Sequence, residues 1–199
     1  MPTKTDQRPT YHISLPRAYE DATARWEFLD RSPVQRSMAR SPTATPENEA
    51  WRRYLQEVRG CAGEQAYEIR TGRPMQVTGF DKGVDFTHPF HGEGKTMTVD
   101  VKTGNTLNLP DKMCFLDVEE VHHNTNQIYV GACCCINGDE RDEDLVMFTG
   151  WAKADVVEAT PRSHLPWGNQ QRLSHLVELQ CLRTMKNLAH IIDKGARYG

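Results

Sequence analysis

The chain has 199 residues, a formal net charge of −3, and 38% apolar and 26% charged residues. That fits one domain with an arm or small addition, long enough to bury a sizeable core. No apolar run approaches the roughly 18–20 residues that span a membrane, and the opening MPTKTDQRPTYH lacks a secretory apolar stretch, so a cytoplasmic protein is expected.

Residues 1–45 are rich in Pro, Ser, Thr and Arg and read as an N-terminal arm, partly irregular, in which only YEDATARWEFLD (19–30) suits a short helix. Residues 46–199 read as a single domain. Thr45 can cap a helix, Pro46 suits its first position, and Glu47 and Glu49 suit the positive end of its dipole. Trp51, Leu55, Val58, Ala62, Ala66 and Ile69 then recur at three- and four-residue steps toward Gly72. Gly60 and Gly63 either break this helix or let another backbone come close.

Strand signals follow at PMQVTGF (74–80), GVDFTH (83–88) and KTMTVDVK (95–102), the last two joined by the turn residues of PFHGEG as a hairpin. MCFLDVEEV (113–121), QIYVGACCCI (127–136) and DLVMFTGWAKADVVEA (144–159) read as further strands, the last two forming a hairpin around the acidic NGDERDED. GNQQRLSHLVELQCLRTMKNLAHIIDKG (168–195) reads as one long amphipathic helix whose apolar stripe serves core or dimer packing. Helix, sheet and helix together predict an α/β or α+β fold, a central mixed β-sheet flanked by helices.

The six cysteines include three in a row, Cys133, Cys134 and Cys135, and no CxxC pair. Neighbours on a strand point to opposite faces, so the three do not converge on one metal, and reduced, mostly buried thiols are expected. Residues 117–144 carry eight acids against Arg141, and residues 162–199 carry six bases against Glu178 and Asp193. The basic end permits a polyanion partner without requiring one.

The chemistry concentrates in MTVDVKTG (97–104). Period-two alternation puts Asp100 and Lys102 on one strand face, roughly 7 Å apart at about 3.3 Å per residue. An ordinary ion pair explains that much. The preceding strand offers Asp85, which a hairpin register can set beside Asp100. Two adjacent carboxylates repel, and a hard divalent ion removes the cost. Glu64 lies on the flank of the preceding helix as a third acid, with Glu68 as fallback. The set reads as Mg²⁺ or Mn²⁺ held by acids, with Lys102 orienting or deprotonating a water.

GCAGE (60–64), GVD (83–85) and DVK (100–102), in that order over roughly residues 46–135, resemble the PD-(D/E)XK nuclease superfamily, with its GxxGE helix most similar to the Holliday-junction-resolvase-like and related repair branch. The resemblance implies a restriction-endonuclease-like core and cleavage of DNA. It implies Asp85, Asp100 and the Val101 carbonyl as metal ligands, Lys102 as the catalytic lysine and Glu64 as an auxiliary acid. Val84 stands where the family often has proline. Thr103, Asn105, Lys95 and His88 are candidates for substrate contact, along with Thr106, Asn108, Lys112 and His91, and Trp151 and Trp167 for base stacking. A homodimer through the C-terminal helix is a further expectation. Two rivals remain: a catalytically inactive nuclease-fold module that binds nucleic acid or a protein partner, and an assembly protein whose acid–lysine pair is a salt bridge. HExxH, P-loop, dinucleotide and GxSxG patterns are all missing from the sequence.

Overall fold

The computed structural model describes residues 8–28, 45–75, 84–89, 96–105, 115–119, 121, 127–164 and 173–196. A helix, α1 (Leu15–Phe28), lies along a longer one, α2 (Pro46–Thr71). α2 begins where its sequence dictates: Thr45 Oγ1 accepts the Asn48 N–H at 3.3 Å. It ends at Gly72, whose φ of 68° is open to glycine and whose N–H bonds Glu68 O. Neither Gly60 nor Gly63 breaks it. Its buried stripe runs through Leu55, Val58, Cys61, Ala62 and Ala66, while Trp51 and Ile69, assigned to that stripe from spacing, are half-exposed.

Five strands form the main sheet: β1 (Thr10–His12), β2 (Phe86–Pro89), β3 (Thr96–Asn105), β5 (Gln127–Cys134) and β6 (Leu145–Lys153), in the order β1-β6-β5-β3-β2. β3 and β5 are parallel and the other pairs antiparallel, which makes the sheet mixed. A second sheet, in the order β4-β8-β7, comprises β4 (Phe115–Val118), β7 (Arg162–His164) and β8 (Leu173–Glu178). Helix α3 (Ala154–Ala159) follows β6 directly, and helix α4 (Met185–Ala196) closes the described chain. The α/β class expected from the sequence is observed.

Two cores result. The larger joins Val58, Ala62 and Ala66 of α2 to Val99 and Val101 of β3, Val130 of β5, Phe148 and Trp151 of β6, and Met185 and Leu188 of α4. The smaller, on the other face of the main sheet, joins Tyr129 and Ala152 to Leu116, Val118, Val157 and Val177. β3 is thus covered on one face by helices and faces the second sheet on the other.

Several expectations are corrected. Residues 10–28 pack on the domain: β1 pairs with β6, the Ser14 N–H bonds Gln65 Oε1 at 3.1 Å, and Arg17 bonds Glu68 at 2.7 Å. The predicted long strand 144–159 stops at Lys153 and becomes α3, where Ala154, Glu158 and Ala159 favour helix. Of the predicted helix 168–195, residues 168–172 lie outside the described residues, and the rest is strand β8, a 3-10 turn at Leu179–Cys181, and only then α4. β8 pairs with β4 on one side and β7 on the other, so its backbone is satisfied by distant partners. The apolar face of α4 is used within the chain: Met185 and Leu188 are buried, and Ile191 and Ile192 pack against the core. Of the predicted strand 74–80, residues 76–80 lie outside the described residues.

Cys61, Cys133 and Cys134 are buried free thiols, and no disulfide forms among the described cysteines. Among the described residues no helix is long and apolar enough to cross a membrane.

Candidate active site

The β2–β3 register answers the question raised by GVD and DVK. Phe86 lies opposite Val99, and the Asp85 N–H also bonds Val99 O at 2.8 Å, so the ladder slips by one residue at the start of β2 and Asp85 sits against Val99. The Asp85 carboxylate continues the ladder past the end of β2: its Oδ2 accepts the Val101 N–H at 2.6 Å. A strand residue's N–H and C=O leave by the same edge. The Val101 carbonyl is therefore directed to the edge that Asp85 occupies.

Asp100 is 2% exposed, and its Oδ2 lies 2.6 Å from Lys102 Nζ, whose side chain is 36% exposed. Among the described residues no other group hydrogen-bonds that oxygen. The pair projects from the face opposite α2, beside Tyr129, which lies across from Asp100 on β5. Burial works against the Lys102 charge, but the Asp100 carboxylate outweighs it and holds the ammonium pKa above its ordinary value.

Glu64 comes from α2, next to Gly63. A Cβ on Gly63 would overlap Thr103 Oγ1 and come 3.3 Å from Val101 Cγ1, so the missing side chain is what lets the helix lie against β3. A Cβ on Gly60 would meet nothing within 4 Å. Glu64 is 3% exposed, and Arg25 grips it with two bonds, Nη1 to Oε1 at 2.7 Å and Nη2 to Oε2. Burial pushes the Glu64 carboxyl up, Arg25 opposes, and Asp100 and Glu57 add to the rise, with a net upward direction. Asp85 is held well above the usual carboxylate range, first by burial and then by the charges of Glu64 and Asp100; the Val101 N–H and Lys102 pull the other way. The three acids thus sense one another across a poorly solvated space.

Two members of this site were missed in the sequence. Glu57 lies two turns before Glu64 on α2; its carboxyl is raised by burial and stabilised as the anion by Arg25, Arg53 and Lys102. Its seven-residue spacing from Glu64 was the available signal. Arg25 belongs to a segment read as an arm, and a lone arginine has no spacing signature.

Other candidates separate from the site. Thr103 faces Gly63, on the opposite side of β3 from Asp100 and Lys102. Asn105 supports the β5–β6 hairpin, donating to Asn137 Oδ1 at 2.8 Å and accepting from the Ile136 N–H at 3.1 Å. His88 is fully buried, and its Nε2 meets Tyr67 Oη at 2.9 Å, so it touches no substrate. Trp151 is also fully buried, with Nε1 bonded to Thr184 O. Glu68 is paired with Arg17. Lys95, His91, Thr106, Asn108, Lys112 and Trp167 lie outside the described residues.

Among the described residues no three or more His, Cys, Asp or Glu side chains converge as a metal-holding group. Glu64 is taken by Arg25, which removes the third acid. The remaining set, Asp85, Asp100 and the Val101 carbonyl, offers only hard oxygens. That suits Mg²⁺, which binds through one or two carboxylates and keeps several waters. The residues fit a divalent ion in this two-carboxylate form.

No protein-family model, curated protein or solved structure matches the chain.

Proposed function

We propose that this chain is a metal-dependent nuclease of the PD-(D/E)XK type, with a restriction-endonuclease-like core, that hydrolyses phosphodiester bonds of DNA with Mg²⁺ or Mn²⁺. The observation that carries the reading is that the Asp85 carboxylate binds the Val101 N–H, between Asp100 and Lys102 on β3, with Lys102 in contact with Asp100. A mere salt bridge between Asp100 and Lys102 needs no second acid held on the Val101 N–H, and none whose carboxyl is raised by burial and by the charges of Glu64 and Asp100.

In this reading Asp85, Asp100 and the Val101 carbonyl hold the ion, which supplies Lewis-acid polarisation and a water of lowered pKa. Lys102 enters as an ammonium, since Asp100 stabilises its charge. Its role is to bind a phosphate oxygen or orient the attacking water, and to stabilise the negative charge that builds up on the phosphorus centre. Proton abstraction by Lys102 requires that the ammonium first lose its proton to solvent, which the Asp100 carboxylate opposes. The test is cleavage of linear and circular duplex DNA with Mg²⁺, with Mn²⁺ and with EDTA. Cleavage that needs the metal and is lost in Asp100→Asn is expected; wild-type rates in that variant sink the proposal.

A second reading has its own support: Glu64 and Asp100 are both engaged in ion pairs. A nuclease-fold module that binds nucleic acid or a protein partner without cutting would keep such pairs permanently. Calorimetric titration with Mn²⁺ separates the two, since absence of binding favours the module.

A further inference from the structure

Arg25 stands in the last turn of α1, outside every element that the nuclease-like motif contains. Both of its terminal nitrogens bond Glu64, one to each carboxylate oxygen, and the side chains are 17% and 4% exposed. Its guanidinium also lies in the field of Asp85. A cation from the N-terminal segment therefore occupies the acid cluster beside the two carboxylates assigned to a metal.

We propose that Arg25 is a resident counter-ion that competes with the divalent metal, so that the docking of α1 on Glu64 sets the metal affinity of the site. The inference rests on the metal-site reading of Asp85 and Asp100. Two physical effects support it. The first is charge. Glu57, Glu64, Asp85 and Asp100 with Lys102 and Arg25 sum to two negative charges when all are ionised; without Arg25 they sum to three, which strengthens the pull on a divalent ion. Groups this poorly solvated are weakly screened, so a guanidinium beside the ion opposes its entry. The second is ligand supply. Glu64 can turn to the ion or its waters only by leaving the Arg25 fork. That costs the half-buried guanidinium its two-bond ion pair, a loss that is expensive unless the end of α1 moves away. The rest of α1 has separate ties, Arg17 to Glu68 and Thr23 Oγ1 to Tyr54 Oη at 2.9 Å, so release is confined to its last turn, where Trp26 must also slide on the Tyr54 ring it meets edge-on.

The experiment is calorimetric titration of the full chain with Mn²⁺, comparing wild type with Arg25→Met and Arg25→Lys. Arg25→Met is expected to bind about tenfold tighter or more, because one unit charge acts on a divalent ion at short range. Arg25→Lys, which keeps the charge and loses the fork, falls between. Equal or weaker affinity in a folded Arg25→Met protein overturns the inference and leaves the metal site standing. No binding by any of the three proteins, wild type included, ends the metal reading and the inference with it. If Arg25→Met does not fold, the wild type decides: saturating Mn²⁺ must speed amide exchange in the last turns of Leu15–Phe28, and unchanged exchange overturns the proposal.

Discussion

Asp85 Oδ2 takes the Val101 N–H at 2.6 Å, one residue beyond the point where β2 begins. A side chain thereby continues a backbone ladder, and in doing so it fixes a carboxylate at the strand edge beside Asp100 and the Val101 carbonyl. The bond lowers the cost of a charged Asp85 but does not remove it, because burial, Glu64 and Asp100 together outweigh it. The site is built under electrostatic load.

That load makes stability depend on pH in a definite direction. Asp85 and Glu64 have carboxyl pKa values above those of the unfolded chain, so over that window the folded state binds more protons. Stability then falls as pH rises from about 4, the ordinary carboxylate value, through the raised values. Asp85→Asn keeps an acceptor for Val101 and deletes the charge. In metal-free protein it should raise the melting temperature at pH 8, by about 2–4 °C for each 1 kcal/mol relieved. The gain should shrink as pH is lowered toward 4. Melting curves of both proteins in EDTA between pH 4 and pH 8 test this, and a pH-independent difference contradicts it.

Lys102→Met should cost catalysis and stability together. It removes the charge that orients water or phosphate, so DNA cleavage should fall by about 10²–10⁴. It also leaves Asp100 buried without its counter-ion, so the metal-free protein should lose stability. Mn²⁺ should restore more of that stability in the variant than it adds to the wild type. Cleavage rates and melting temperatures with and without the ion read both effects; unchanged cleavage removes Lys102 from the site.

How far the site could be read in advance follows from which forces are local. The Asp100–Lys102 face is fixed by strand alternation, and the Thr45–Pro46 start of α2 by capping, so both were legible. The antiparallel pairing of β2 with β3 was legible because they are neighbours in sequence, but the slip at Asp85 was not. β8 was not. Leu173, Leu176 and Val177 fit a helical stripe as well as a strand, and the deciding partners, β4 and β7, lie elsewhere in the chain. α1 was only half seen because its fully buried apolar residues, Ala18 and Ala22, carry little hydrophobic signal. Arg25 was hidden for the same reason, since its meaning depends on α1 docking against α2.

His88 provides a check on the packing behind β2. Its ring is fully buried against Tyr67, and burial lowers its pKa to about 4. It should be neutral at pH 7, and its ring resonances should not titrate between pH 8 and pH 5. The folded state then binds fewer protons than the unfolded one between about pH 4 and 6.5, so this group adds stability that is lost on acidification through that range. Tyr67→Phe removes the partner at 2.9 Å and leaves His88 Nε2 buried, a cost of about 1–3 kcal/mol. Cleavage by the folded variant should be unchanged, because neither side chain belongs to the site. A His88 that titrates near 6.5 would show that the ring is solvated.

The two glycines of GCAGE separate a packing role from a conformational one. A methyl at position 63 would overlap Thr103 Oγ1 and crowd Thr103 Cβ at 3.2 Å and Val101 Cγ1 at 3.3 Å. Thr103 and Val101 sit on β3 where it pairs with β5, and the Val101 N–H is also held by the Asp85 carboxylate, so the strand cannot yield cheaply. Gly63→Ala should destabilise by about 1–3 kcal/mol. It should also lower metal affinity, because any retreat of α2 from β3 carries Glu64 away from Asp85 and Asp100. Position 60 has open space, so Gly60→Ala should gain up to about 1 kcal/mol from helix propensity alone. Thr103 Oγ1 makes no hydrogen bond among the described residues, so Thr103→Ala gives up none. Combined with Gly63→Ala it should recover part of the lost stability, but only part, since the Val101 contact remains. Urea unfolding of the four variants measures this directly, and equal effects of alanine at positions 60 and 63 would show that α2 does not depend on close contact with β3.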